Sequence, residues 1–210
     1  MTVLRIAPEQ QADVLKNWLL QDEWRLQVMK TVAELNLPQG CVAAGFVRNL
    51  IWDYLHGHTS ITPLDDIDVI YFDSSATGSE HDIHYEMQLN ALLPARWSVK
   101  NQARMHTRNH HFPYTSTVDA MRHWVEVETA VGAYWRPCEE EVGMMGCTQA
   151  CQGVIEVVAP FGLTANFAGT ITFNTVAPNN AAFKERMSKK RWQALWPELT
   201  VRHDPDWLDR

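Results

Sequence analysis

The sequence predicts an α/β (α+β) chain, a mixed sheet flanked by helices. Short apolar runs of strand length alternate with stretches of helical periodicity through the middle of the chain, and this strand-helix-strand rhythm calls for a layered sheet. No internal repeat, low-complexity tract or obvious linker interrupts the alternation. At 210 residues the length suits one domain, residues 1–210, with N-terminal helices and a basic C-terminal helix.

The first helix is expected over residues 8–20, where Val14, Leu15, Trp18 and Leu19 share one face. A second reaches residue 35 through Leu26, Met29, Val32, Ala33 and Leu35, and Asn36-Leu37-Pro38-Gln39-Gly40 breaks it. Residues 41–44 are short and apolar and run into Gly45, which suits a buried strand ending in a tight turn. A helix follows over 46–55, with Val47, Leu50, Ile51 and Tyr54 as its apolar stripe and Arg48, Asn49 and Asp53 on another face. After a loop rich in Gly, His, Thr and Pro, residues 67–72 form a strand with bulky alternation. A helix is expected over 81–93 and a strand over 97–102. Ser116 or Thr117 caps a short helix through residue 124. Residues 127–135 and 154–159 read as strands joined by a glycine-rich loop, and 181–195 as a basic helix ending at Trp196-Pro197.

Composition narrows the function. Hydrophobic residues make up 46% of the chain, enough for a sizeable core. No run approaches the ~20 apolar residues of a membrane span, and no basic segment followed by an apolar stretch opens the chain. The expected location is the cytoplasm. A net charge of -7 argues against a long nucleic-acid duplex, whose grip needs a basic surplus. It favours a small substrate, a short nucleic-acid end or a protein acceptor. Four cysteines are too few for a disulfide framework. Cys138, Cys147 and Cys151 lie close together, but their spacing matches no familiar zinc site, and reduced thiols around a hairpin loop are the plainer reading.

The informative string is Leu64-Asp65-Asp66-Ile67-Asp68-Val69-Ile70-Tyr71-Phe72-Asp73. Strand side chains two apart share a face, so Asp66 and Asp68 project together while Ile67 and Val69 enter the core. Two carboxylates this close raise each other's pKa unless a cation lies between them. Mg²⁺ takes oxygen ligands from such a pair and completes its shell with water and substrate phosphates. The helix after Gly45 adds free backbone N–H groups and a positive dipole end, which suit phosphate, and glycine allows close approach.

A glycine turn between strand and helix, followed by Asp-apolar-Asp-apolar, resembles the core of the polymerase-β-type nucleotidyltransferases. The fuller string resembles one bacterial branch of them, a nucleotidyltransferase family formerly described only as a domain of unknown function. The matching segments are Ala44-Gly45-Phe46-Val47-Arg48-Asn49, Trp52-Asp53, Leu55-His56-Gly57 and residues 66–73. Further on come Asn101-Gln102-Ala103-Arg104-Met105-His106, Ala159-Pro160-Phe161-Gly162-Leu163, Glu185-Arg186, Lys190-Arg191-Trp192 and Trp196-Pro197. The resemblance covers residues 22–201. It implies a polymerase-β-type fold and a Mg²⁺- or Mn²⁺-assisted attack of an acceptor oxygen on the α-phosphate of a nucleoside triphosphate, with release of pyrophosphate. The acceptor is a small molecule, a protein or an RNA end. Asp66 and Asp68 would carry metal, Gly45 and Phe46 would bind phosphate through their backbone, Arg48 would neutralise the leaving group, and Asn49 would orient the phosphate or Arg48.

The superfamily pattern also asks for a third carboxylate. Asn101 stands where one would come from the neighbouring strand; Glu126 matches an acidic position of the family string, with Glu128 and Glu156 as rivals. Relatives carry acidic residues after the Phe-Gly-Leu segment, where this chain has Thr164-Ala165-Asn166-Phe167. His106 lies in a family segment and is a candidate for substrate contact. Arg186 and Lys190 either form a solvated cationic helix face or reach the triphosphate or acceptor. Trp52 and Trp97 are candidates for stacking on a base. Two further readings stand beside the enzyme. One is a catalytically weakened nucleotide-binding or regulatory module of the same fold. The other is a metal-dependent phosphohydrolase, which would need His56, His81, His106, His110 and His111 to converge with Asp82.

Overall fold

The computed structural model describes residues 6–138 and 153–203. Helix α1 (Pro8–Gln21) begins on a proline, whose missing N–H costs nothing in a first turn. Helix α2 (Glu23–Glu34) is capped by Asp22, which accepts from the backbone N–H of Arg25 at 2.9 Å. Their apolar faces bury Leu15, Leu19, Val28, Met29 and Val32. Then come β1 (Cys41–Ala43), α3 (Gly45–Leu55), β2 (Ile67–Tyr71), α4 (Ser79–Leu92) and β3 (Trp97–Asn101). Helices α5 (Gln102–Asn109) and α6 (Thr117–Met121) precede one 3-10 turn (Val127–Thr129) and the strands β4 (Gly132–Arg136) and β5 (Val154–Val158). The chain continues through α7 (Thr164–Phe167), β6 (Thr170–Thr172), α8 (Asn180–Lys190), α9 (Trp192–Leu195) and β7 (Thr200–Arg202).

The main sheet runs β3-β2-β1-β4-β5. β2 and β3 are parallel and the other neighbours antiparallel, so the sheet is mixed, as expected. Strand alternation divides its side chains. Val42, Ile67, Val69, Tyr71, Val99, Ala133 and Ile155 join α1 to α4 in the main core. Cys41, Ala43 and Ile70 meet Met121 and Ala130 in a smaller cluster. A third cluster gathers Trp52, Ile171, Phe173, Phe183, Trp192, Trp196 and Leu199, joining α3 to the C-terminal elements. Glu128 anchors those elements by accepting from Thr170 Oγ1 at 2.6 Å, Thr172 Oγ1 at 2.6 Å and Thr172 N at 2.7 Å.

Four expectations change. The strand expected over 127–135 begins only at Gly132, because β1 offers no partner beyond Ala43; Val127–Thr129 coil into a 3-10 turn instead. The basic helix breaks at Arg191, which takes a left-handed conformation (φ 48°) and starts α9 in a new direction. Gln102 opens a helix rather than ending the strand, because Asn101 caps residues 102–109 by accepting from Ala103 N at 3.0 Å. Cys138 is disulfide-bonded, which corrects the reading of reduced thiols there. Cys147, Cys151 and the glycine-rich loop lie outside the described residues. Cys41 is free and buried, and burial pushes its thiol up to about 12.

The turn between β1 and α3 holds a further surprise. Its strained residue is Ala44, at φ 55° and ψ -123°, whereas Gly45 lies in the first turn of the helix. An alanine there carries a strain of roughly 1–3 kcal/mol that glycine would not. Ala44→Gly is therefore expected to raise the unfolding free energy by about 1 kcal/mol after its entropic cost. Urea denaturation measures this, and a loss of stability would show that the Ala44 methyl matters more for packing than its backbone costs.

Candidate active site

Register brings the acidic strand to the start of α3. Asp68 pairs with Ala43 across β1 and with Ser98 across β3, so its carboxylate stands where β1 turns into the helix. Ile67 and Val69 are buried, Asp66 is exposed and Asp68 half-buried. Burial and the neighbouring charge of Asp66 raise the pKa of Asp68, against a hydrogen bond from Ser98 and the charges of Arg48 and Lys190. The pair is thus an unrelieved concentration of negative charge with oxygen donors, and it fits a hard divalent cation.

Facing it is a cationic wall. No side chain caps α3, so its first backbone N–H groups are left for a ligand. They open on a cavity of about 370 Å³ whose lining includes Gly45, Arg48, Asn49, Asp66, Asp68, Arg186 and Lys190. A Cβ at Gly45 would lie 3.6 Å from both Arg48 Nη2 and Asn49 Nδ2, so glycine keeps open the space these donors share. Arg48 lies between the rings of Trp52 and Trp192, at 4.7 and 4.6 Å from their centroids. It donates to Asn49 Oδ1 through Nη2 at 2.9 Å and to Thr129 Oγ1 at 2.7 Å. Thr129 donates to Glu126 Oε2 at 2.9 Å, and Arg186 Nε donates to Glu126 Oε1 at 2.6 Å. Burial lowers Arg48 to about 10, opposed by Glu126, so it stays protonated at neutral pH. Lys190 reaches the rim, where it pairs with Asp65 at 2.9 Å.

Residues 30–201 match the family model described as nucleotidyltransferase. The chain belongs to that nucleotidyltransferase family. Its fold is similar to that of a solved protein said to reveal a CCA-adding enzyme head domain, at 28% identity and a TM-score of 0.74, over 91% of this chain and 96% of that one. No curated protein matches the chain.

Several of the residues expected at the site occupy other places in this family member. Asn101 is fully buried and gives its side chain to the loop after β2: it accepts from Asp73 N and donates to the carbonyl oxygens of Asp73 and Ala76 at 2.7 and 2.9 Å. Both oxygens of Glu126 are engaged, by Arg186 and Thr129. Among the described residues no three His, Cys, Asp or Glu side chains form a metal-sized group. Glu128 is spent on β6, and Glu156 pairs with Lys16 and Arg136. Phe46 is buried, so only its backbone is open to a ligand.

His106 bonds the Ala103 carbonyl and lines neither half of the cleft, whereas His110, His111 and His123 do line it. His56 ties Trp52 O to Glu198 N, and His81 lies 3.9 Å from Glu80 on α4. The histidines named for a phosphohydrolase therefore do not converge. Trp52 is fully buried and Trp97 nearly so, which removes both as base-stacking platforms; Trp124 and Trp192 line the cleft instead. Trp192, Thr129 and Asp65 were not anticipated, though Asp65 adjoins the acidic pair in sequence.

The raised pKa of Asp68 has a stability consequence. The folded state holds this proton more tightly than the unfolded state, so Asp68 costs stability as pH rises above the ordinary aspartate range, and the cost grows until pH passes its raised pKa. Asp68→Asn should raise the melting temperature of the metal-free protein at pH 7 by roughly 2–4 °C, the effect of about 1 kcal/mol at this size. The gain should vanish below the ordinary aspartate range. Calorimetry across pH checks this, and an equal gain at every pH would remove the electrostatic explanation.

Proposed function

We propose that this protein is a Mg²⁺- or Mn²⁺-dependent nucleotidyltransferase that moves a nucleoside monophosphate from a nucleoside triphosphate to an acceptor hydroxyl. The observation that carries this reading is the placement of Asp66 and Asp68 on the rim of the cavity that Arg48, Asn49, Arg186 and Lys190 line. Asp66 and Asp68 would hold the metal, which would supply charge neutralisation at the α-phosphate and at the leaving oxygen. The chain does the rest. The first N–H groups of α3, with Arg48 and Asn49, take the outer phosphates, and Arg186 and Lys190 close over them from α8. The acceptor oxygen bonds to the α-phosphorus as the bond from that phosphorus to its bridging oxygen breaks. Pyrophosphate departs with the electron pair, and the hydroxyl proton passes to water. Glu126 acts as a positioning residue that aims Arg186 and counters the charge of Arg48, in place of the third metal ligand expected of it.

The sequence's acidic balance supports a small molecule, a protein or an RNA end as acceptor rather than a long duplex, and the cytoplasm stays the proposed location. The CCA-adding likeness of the structural neighbour keeps an RNA end among these acceptors. One observation favours the second reading, a binding or regulatory module: the third carboxylate is committed elsewhere. Turnover decides between them. Incubation with each labelled nucleoside triphosphate and Mg²⁺ should release pyrophosphate, and the Asp66→Asn, Asp68→Asn double variant should lose at least about a hundredfold in rate. Nucleotide binding without pyrophosphate release would favour the module, and undiminished metal and nucleotide binding by the double variant would sink the site.

A further inference from the structure

The cleft has a second half to which the triphosphate gives no role. Across Asp68 from the start of α3 lies a cavity of about 410 Å³ that shares Ala44, Asp68 and Arg186 with the phosphate half. Such a volume suits one small molecule. Its inner end is acidic, from Asp68 and the buried Glu126. Its outer end carries Arg108, His110, His111 and His123, drawn from the end of α5, the loop after it and the residues following α6.

This outer end is built as a set of donors. The His111 and His123 ring centroids lie 5.0 Å apart, and Tyr114 stands 5.0 Å from His123. Asn109 donates to the Tyr114 hydroxyl at 3.3 Å, and that hydroxyl lies 2.6 Å from His111 Nδ1. With Nδ1 bonded to the Tyr114 hydroxyl, His111 has Nε2 left for a ligand. His123 Nδ1 bonds the Asp119 carbonyl at 2.9 Å, so a second proton on this ring would go to Nε2. Arg108 is exposed and has no ion-pair partner among the described residues. Two other cations face the same space but are engaged: Lys100 with Glu86 at 3.1 Å, and Arg186 with Glu126.

We propose that this half binds the acceptor, and that the acceptor is a small hydroxyl compound carrying a phosphate group. Its phosphate lies against Arg108, His111 and His123, and its hydroxyl lies at Asp68. The proposal rests on the nucleotidyltransfer reading and adds the acceptor's chemistry to it. The gradient of charge orients the acceptor: Arg108, His111 and His123 draw the phosphate to the outer end, and the inner end beside the metal that Asp68 would hold is left to the hydroxyl. The small volume and the net charge of -7 favour a free phosphorylated compound over a nucleic-acid strand. Burial, with the neighbouring charges of His123 and His110, holds His111 below the ordinary imidazole range. His111 is thus largely neutral at pH 7 and gains charge as pH falls, so anion binding tightens in mild acid.

The test uses the full chain saturated with Mg²⁺ and a non-hydrolysable nucleoside triphosphate analogue, whose own binding is measured first by calorimetry. Sulfate, dianionic throughout, is titrated between about pH 7.5 and about pH 5.5, and ribose 5-phosphate and a short oligoribonucleotide lacking terminal phosphate are titrated separately. The His111 and His123 imidazole signals are followed by NMR. Sulfate and ribose 5-phosphate should shift both signals with the analogue still bound, and sulfate should bind about threefold more tightly at the lower pH. Arg108→Ala and His123→Gln should each weaken ribose 5-phosphate about tenfold and leave the affinity for the analogue unchanged. Displacement of the anions by the analogue would give this half to the nucleoside and overturn the proposal. Binding of the oligoribonucleotide alone would replace the small acceptor with an RNA end. If the analogue binds and no anion does, the acceptor assignment alone fails; if the analogue itself does not bind, the nucleotidyltransfer reading fails with it.

Discussion

A buried guanidinium organises this protein. Arg48 leaves water to lie between Trp52 and Trp192, and that position ties the start of α3 to the C-terminal helices. A cation in such a place needs its donors satisfied and its charge countered. Asn49 and Thr129 meet the first need, and Glu126, reached through Thr129, meets the second. Each ring contact contributes about 1–2 kcal/mol when desolvated. Glu126 then has one oxygen left, and Arg186 takes it. The arrangement draws α8 across the acidic strand and fixes the distance between the cationic wall and the two aspartates.

The cleft that results is electrically divided within an acidic protein. Asp68 stands between two donor-rich spaces, one lined by Arg48, Lys190 and Asp66 and the other by Arg108 and the histidines, with Arg186 common to both. Such a division lets an acidic chain collect phosphate-bearing ligands, because field lines are focused by the low-dielectric walls rather than set by net charge. Lys190 pairs with Asp65 at the rim, where both charges are exposed and the pair is weakly held, so in the proposed reaction an arriving phosphate would exchange for the carboxylate at small cost.

Much of this was legible in the sequence. Period-two alternation put Ile67 and Val69 inside and the aspartates on one face. The stripe of α3 placed Val47, Leu50 and Ile51 in the core, but Tyr54 is exposed and Trp52, Arg48, Asn49 and Asp53 are buried too, because the C-terminal elements cover the helix's other face. What escaped notice has physical causes. Helix α5 reads Gln-Ala-Arg-Met-His-Thr-Arg-Asn and has no apolar stripe to announce it; its signal was the capping residue Asn101, which invited a ligand role instead. The strain at Ala44 was hidden because glycine beside it attracted the explanation. Glu126 and Glu128 look alike in sequence, and only the distant partners Arg186 and Thr172 separate a cleft residue from a sheet anchor. Trp192 could not be foreseen at the site, since its place depends on the break at Arg191.

In the proposed reaction Asp66 and Asp68 together hold a divalent ion beside the start of α3. Electron paramagnetic resonance of Mn²⁺ reads this directly, because free and bound ions have distinct spectra. The account predicts a bound signal in the wild-type protein that strengthens with a nucleoside triphosphate analogue and is lost in Asp66→Asn and in Asp68→Asn alike. A bound signal that survives both substitutions would contradict it.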